Sequence, residues 1–347
     1  MKLTPIRIRG KRRRKGEPAV PKPRKSSRSE VLGRPQKSRR TKASFIERKV
    51  PLEVLERIFW FSENVRFPQS SLRLGRLLSE PHTLRQTFIQ AFGPTWDVWY
   101  GCVYDRAPQM SDRMICSYAG WENDSARFGG NPEFQSSILE CTWATVPLIL
   151  DCWDAWVRRY ANQRLFQHVG IWNAPCTADD GDMTHGNARQ YFLHDYCAFR
   201  QIECQDDTES AVDFQRELNT VTRIEVHKDT QIPDQLLVGP WTDDTLQKLF
   251  WLVRAGARLS SEQTWEVTLQ GFQNAIIDTY PPSGQVNLTI VRLLDTLEAF
   301  KTWPKYIVAE EYSKVDRVCH HNDCTITAKV AHKYAYIRSR LSRFAED

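Results

Sequence analysis

Long hydrophobic runs, paired cysteines and glycine-rich phosphate loops are all missing from this sequence. The longest uninterrupted aliphatic stretch is Val146-Pro147-Leu148-Ile149-Leu150, far short of the ~20 apolar residues a membrane-spanning helix needs. The first residues are charged but no apolar segment follows them, so a secretory signal is not expected. The sequons Asn123-Asp124-Ser125 and Asn287-Leu288-Thr289 then read as chance matches in a nuclear or cytosolic chain. Nine cysteines are scattered with no CxxC pair, which suits core packing in a reducing compartment better than a disulfide scaffold. Neither GxGxxG nor GxxxxGKS/T occurs, nor a G-x-S-x-G elbow, nor an HExxH helix. The commonest routes to nucleotide, acyl-transfer and zinc chemistry are thereby removed. The expectation is a protein that is not an enzyme and uses no cofactor.

What is present is a sharp division of charge. Of 48 Lys and Arg and 42 Asp and Glu, nineteen bases but three acids fall in residues 1–49, a net of +16 against −10 for the remainder. That first segment is rich in Pro, Ser, Arg and Lys, with almost no aromatic residue before Phe45. It cannot bury enough apolar surface to offset the entropy of ordering, and a disordered basic tail is expected. Within it, Lys11-Arg12-Arg13-Arg14-Lys15 and Lys37-Ser38-Arg39-Arg40-Thr41-Lys42 suit an importin groove or phosphates. The first cluster is the candidate nuclear import signal. Any nucleic-acid contact is expected through the tail alone, and the expected location is nuclear or nucleocytoplasmic.

Helical spacing begins at Val50, with Pro51 suited to a first turn and Leu52, Leu55, Ile58 and Phe59 recurring through Phe61. A second stripe carries Leu72, Leu74, Leu77 and Leu78, and a third carries Leu84, Phe88 and Phe92 up to an expected stop at Gly93-Pro94. Val50-Pro51-Leu52-Glu53-Val54-Leu55-Glu56-Arg57-Ile58 resembles the opening of an F-box, whose pattern is Leu-Pro-x-Glu-aliphatic-Leu-x-x-Ile. Ser71-Leu72-Arg73-Leu74 with Leu77 and Leu78 is similar to that family's second helix. The basic leader and Trp-rich body also resemble the filamentous-fungal F-box-like proteins. The sequence departs from the pattern at Val50, at Arg76-Leu77-Leu78-Ser79, where Arg-Trp is usual, and in a longer connection over 62–70. The resemblance implies a three-helix unit that leaves an apolar face for the adaptor Skp1, with Pro51, Leu52, Leu55 and Ile58 as the matching contacts. The same residues could instead pack onto the chain's own body. In the first case the body recruits a target to a cullin-type ubiquitin ligase. The alternative function is a nuclear nucleic-acid-associated protein.

The expected fold is mainly α: a disordered tail over 1–49, an F-box-like unit over 50–93, a Trp-rich α body with minor β over 94–240, and a helical region over 241–347. A helix is expected from Ile138 to Arg159, bent or interrupted by Pro147. Segments 165–172, 191–202 and 221–227 suit strands. Helices follow from Asp243-Asp244 to Gly256, from Ser261-Glu262 through Ile276, from Leu288 to Phe300, and from Ile326 to Phe344. Leu252-Val253-Arg254-Ala255-Gly256-Ala257-Arg258-Leu259 is similar to the end of an ankyrin repeat, suggesting helical hairpins near the C-terminus. The densest metal-ligand run, Cys319-His320-His321-Asn322-Asp323-Cys324, has no second pair at finger spacing and reads as a polar connection. His185, His194, Asp195 and Cys197 could be written as a thiol dyad with an orienting carboxylate, and Asp179–Asp182 as an acidic turn. The expectation for both is no catalysis and no metal.

Overall fold

The computed structural model describes residues 49–100, 129–160, 188–201, 225–276, 286–320 and 328–345. Helices dominate these segments, and no strand occurs among the described residues. The first three helices are α1 (Leu52–Ser62), α2 (Leu72–Leu78, after a 3-10 turn at Phe67–Ser70) and α3 (Pro81–Tyr100). Then come α4 (Pro132–Leu139), α5 (Val146–Tyr160), α6 (Ala188–Gln201), α7 (Asp234–Val238) and α8 (Asp243–Arg254). The last five are α9 (Trp265–Ile276), α10 (Leu288–Thr296), α11 (Ala299–Thr302), α12 (Lys305–His320) and α13 (Ala328–Ala345). The import cluster at 11–15, the acidic turn at 179–182, His185, and the strand candidates at 165–172 and 221–224 lie outside the described residues.

Helix α3 continues through Gly93-Pro94 instead of stopping there. An interior proline costs a helix about 3 kcal/mol through a lost hydrogen bond and a ring clash. Against this, Phe88, Phe92 and Trp96 lie on one stripe and are each fully buried, worth about 2–3 kcal/mol apiece. Phe88 stacks on Phe92 at 4.2 Å, while Trp96 meets the edges of Trp153 at 4.8 Å and Trp156 at 5.6 Å on α5. The buried stripe outweighs the proline. The indole N–H of Trp96 donates to the Glu225 carbonyl at 2.9 Å, so its polar end is also satisfied.

The helix expected over 138–159 is two helices. Asn131 caps α4 by accepting from the Glu133 and Phe134 amides, and the chain breaks over residues 140–145 before Pro147 is reached. Pro147 stands in the first turn of α5, where its missing N–H breaks no bond. Segment 191–202 corrects a strand expectation: residues 188–201 form α6. Phe192, Asp195, Tyr196 and Phe199 are buried at helical spacing, and the three aromatics pack on Phe250 of α8 at 5.0–5.7 Å. Residues 225–227 are irregular as well.

Thr242, one residue before the expected Asp243-Asp244, caps α8 in a reciprocal box with Thr245. The helix ends as the Gly-Ala signal implied. Gly256 takes φ +87°, its amide reaches Val253 O and the Ala257 amide reaches Leu252 O, which together satisfy two orphan carbonyls. At the crossing of α7 and α9, a Cβ on Gly271 would stand 2.0 Å from the Leu237 carbonyl oxygen, so only glycine fits. The expected helix over 288–300 is split by Glu298, which takes φ +58° between α10 and α11. Phe272, Phe300 and Trp303 then close an edge-to-face trio at 4.9–5.5 Å. Helix α12, which pairs with α13, had no counterpart in the sequence reading.

Two polar contacts knit the interior. The side-chain amide of Gln135 is fully buried and uses all four positions: it donates to Ala91 O and Thr95 Oγ1, and accepts from the His227 amide and Thr230 Oγ1, all at 2.8–2.9 Å. Arg254 Nε lies 2.8 Å from Asp195 Oδ2, a close ion contact with both side chains nearly inaccessible. Gln135→Leu is expected to leave the His227 amide buried without its acceptor and to cost about 1–3 kcal/mol, read as a lower urea midpoint. An unchanged midpoint would show that water or backbone movement replaces those bonds.

Candidate functional site

Helix α1 is apolar on two faces. Leu55 and Phe59 are 1% and 2% exposed and pack with Leu74 and Leu78 in a small cluster of their own, supported by Phe67 stacked 6.3 Å from Phe59. Trp60 and Glu56 turn toward α3, where Trp60 Nε1 donates to Thr87 Oγ1 at 3.1 Å and Thr83 Oγ1 donates to Glu56 Oε1. A second side, centred about 110° around the helix from Leu55 and Phe59, carries Val54, Ile58 and Phe61, which fall within about 60° of arc at 3.6 residues per turn. They are 44%, 41% and 83% exposed. Leu52, on the Leu55 side of the helix, is 36% exposed, and Leu72 of α2 is 85% exposed.

The four residues expected to contact a partner therefore separate. Pro51, Leu52 and Ile58 are exposed, whereas Leu55 belongs to the chain's own small core. Val54 and Leu72 were not among them. The available signal was excess: Val54, Ile58 and Phe61 repeat at spacings of four and three beside a stripe already sufficient to bury α1.

A second feature had no sequence signal. A cleft of about 880 Å³ lies between the 140–147 connection and the segment from Gln231 into α8, with Lys248 in its wall. Lys248 Nζ donates to the Leu139 carbonyl at 2.7 Å, covering one orphan acceptor at the end of α4. Burial pushes this amine down to about 8. The same burial raises the neighbouring Cys141 thiol. Glu140, Asp234 and Asp244 also border the cleft.

The other candidates are dispersed. Asp195 and Cys197 stand two residues apart on α6, about 200° around the helix, with Asp195 buried against Arg254 and Cys197 exposed. Cys319 and His320 end α12, and 321–324 lie outside the described residues. Among the described residues, no group of three or more His, Cys, Asp or Glu side chains could hold a metal ion, and no helix is long and apolar enough to cross a membrane. No protein-family model, curated protein or solved structure matches the chain.

The Lys248 shift fixes a pH dependence. Its pKa is about 8 folded against 10.5 for the free side chain, so between those values the unfolded chain holds more protons and stability rises with pH. The effect is at most about 3 kcal/mol. Lys248→Met removes this rise, so its stability relative to wild type should fall between pH 7 and pH 10, measured by urea unfolding at each pH. A difference that stays constant across that window would refute a depressed amine.

Proposed function

We propose that this chain is a protein-interaction adaptor, an F-box-like substrate receptor of a Skp1-cullin ubiquitin ligase. The observation that carries the reading is the exposed apolar strip of Val54, Ile58 and Phe61, with Leu52 and Leu72 also exposed, on the helical segment where the sequence resembles an F-box. Burying such a surface against a second polypeptide drives association through the hydrophobic effect. In this reading α1, α2 and the first half of α3 form the F-box-like unit, and the helices beyond them recruit the target. The Gly256 ending of α8 supports, in one place, an ankyrin-like hairpin in that recruiting part. The chain performs no chemistry of its own, and Lys11, Arg12, Arg13, Arg14 and Lys15 address it to the nucleus through an importin.

The placement of Leu55 decides which variant tests the idea. Leu55→Asp would put a carboxylate into the small core and unfold it, so loss of binding would say nothing about docking. Ile58→Asp with Phe61→Asp alters exposed positions only. Wild type is expected to co-purify with a Skp1-type adaptor, and the double variant to lose at least tenfold in affinity while its melting curve is unchanged. Full binding by the double variant, or none by wild type, would end the receptor reading.

The +16 charge of residues 1–49 favours a second reading, in which the tail binds nucleic-acid phosphates. Affinity for DNA or RNA would then fall steeply with salt and disappear when residues 1–49 are deleted. Binding that survives the deletion would exclude it.

A further inference from the structure

The cleft beside α8 holds a lysine whose amine is tied to a neutral group. Among the described residues lining it Lys248 is the only cation, and its Nζ donates to the Leu139 carbonyl at 2.7 Å. Glu140, Asp234 and Asp244 line the same cleft, yet none of these carboxylates holds up the charge of the amine. The one titratable group that acts on it is the Cys141 thiol, also in the wall, and burial outweighs that thiol to leave the amine at about 8. At about pH 7.5 roughly a quarter of the chains then carry Lys248 uncharged. Desolvation without a paired carboxylate is how proteins prepare a lysine to attack carbonyl compounds. The cleft, at about 880 Å³, falls within the roughly 300–1,000 Å³ of small-molecule sites. Leu139, Val146, Pro147 and Leu236 give it apolar wall. Three carboxylates against one cation make its potential negative, which turns away anionic carbonyl compounds.

We infer that this cleft captures a neutral aldehyde with an apolar body as a Schiff base on Lys248. The uncharged Nζ adds to the carbonyl carbon, and one of its protons passes through water to the carbonyl oxygen. The resulting hydroxyl takes a proton from solvent and leaves as water, so a protonated C=N bond remains. Amine, aldehyde and one proton give iminium and water, with no oxidant or reductant consumed. The iminium nitrogen keeps one N–H, which is enough for the Leu139 carbonyl, so capture does not orphan the acceptor at the end of α4. The negative potential of the cleft favours this cationic adduct. Capture is reversible binding without turnover, and it stands independently of the adaptor reading.

The test uses the full-length wild-type chain at about pH 7.5. Hexanal is the neutral probe, glyoxylate the anionic one, and formaldehyde the one small enough to need no cleft. Sodium cyanoborohydride reduces each adduct to a stable alkylamine, and peptide mass mapping reads the labelling rate at each lysine. Hexanal is expected to label Lys248 at least tenfold faster than the exposed Lys301 and Lys305. The rate at Lys248 should saturate as hexanal is raised, while theirs stays proportional to it. Glyoxylate should show an advantage at Lys248 at least fivefold smaller. Thr142→Trp, at an exposed position of the lining, should slow hexanal at Lys248 at least fivefold and leave formaldehyde labelling within about twofold.

Hexanal labelling at Lys248 no faster than at Lys301 and Lys305 overturns the inference. Fast formaldehyde labelling of Lys248 without saturable hexanal labelling also overturns it, because the amine is then reactive but the cleft does not hold the aldehyde. Glyoxylate labelling that matches hexanal at Lys248 overturns the choice of a neutral ligand. The wild-type rates decide each of these even if Thr142→Trp fails to fold, and none of them bears on adaptor binding.

Discussion

Burial of the Phe88, Phe92 and Trp96 row is the constraint on which the rest of the architecture hangs. These rings take one face of α3 into the main core against Trp153, Trp156 and Trp251. The earlier part of the same helix presents Thr83 and Thr87 to α1. One rigid rod therefore serves two clusters, the large core of the body and the small one formed by Leu55, Phe59, Leu74 and Leu78. A helix that stopped at Gly93 would leave Trp96 without its indole acceptor and the Gln135 amide without Thr95. The uninterrupted α3 is thus a consequence of what lies on both of its faces, and it fixes where the exposed strip of α1 stands.

Charge buried in the interior explains why α6 was hard to read as a helix. Asp195 interrupts an otherwise apolar stripe on α6, and its reason for being there, Arg254, is 59 positions further along the chain. Arg292 is likewise buried on α10, donating to the Phe199 carbonyl at 2.6 Å with its guanidinium 4.0 Å from the Phe199 ring. Arg340 of α13 lies 3.5 Å from Asp295 and over the Tyr336 ring. Each of these looks like a surface residue in a one-dimensional reading. Periodicity still marks α8, α10 and α13, whose apolar residues outnumber the buried Arg254, Arg292 and Arg340, and fails on the three-ring stripe of α6, where a long-range ion pair places Asp195.

Local signals fared better when the physics is local. The Gly256 ending and the start of α1 after Pro51 depend on residues within one turn, and both are where the sequence put them. Pro94 and Pro147 show the limit. Both were read as breakers, yet one is carried through by tertiary burial and the other sits in a first turn where a proline costs nothing. For the candidate site, the position of the strip was legible as a hydrophobic repeat. Which of its residues face outward depends on α2, a separate element reached through a 3-10 turn, and no spacing rule supplies that.

The two faces of α1 are finally an argument about cost. Leaving Phe61 and Leu72 in water forgoes about 1.5–3 kcal/mol each relative to burial, and stability margins for whole domains are only about 5–15 kcal/mol. Single exposed apolar residues need no explanation. Here Val54, Ile58 and Phe61 are clustered on one side of one helix, with uncovered Leu72 opening the next helix. The Leu55 and Phe59 side of α1 is meanwhile packed to 1–2% exposure. A helix selected only to cover its own core would need one apolar stripe, and polar residues at 54, 58 and 61 would serve folding equally well. A second stripe beyond what folding needs is what the proposed adaptor role would use.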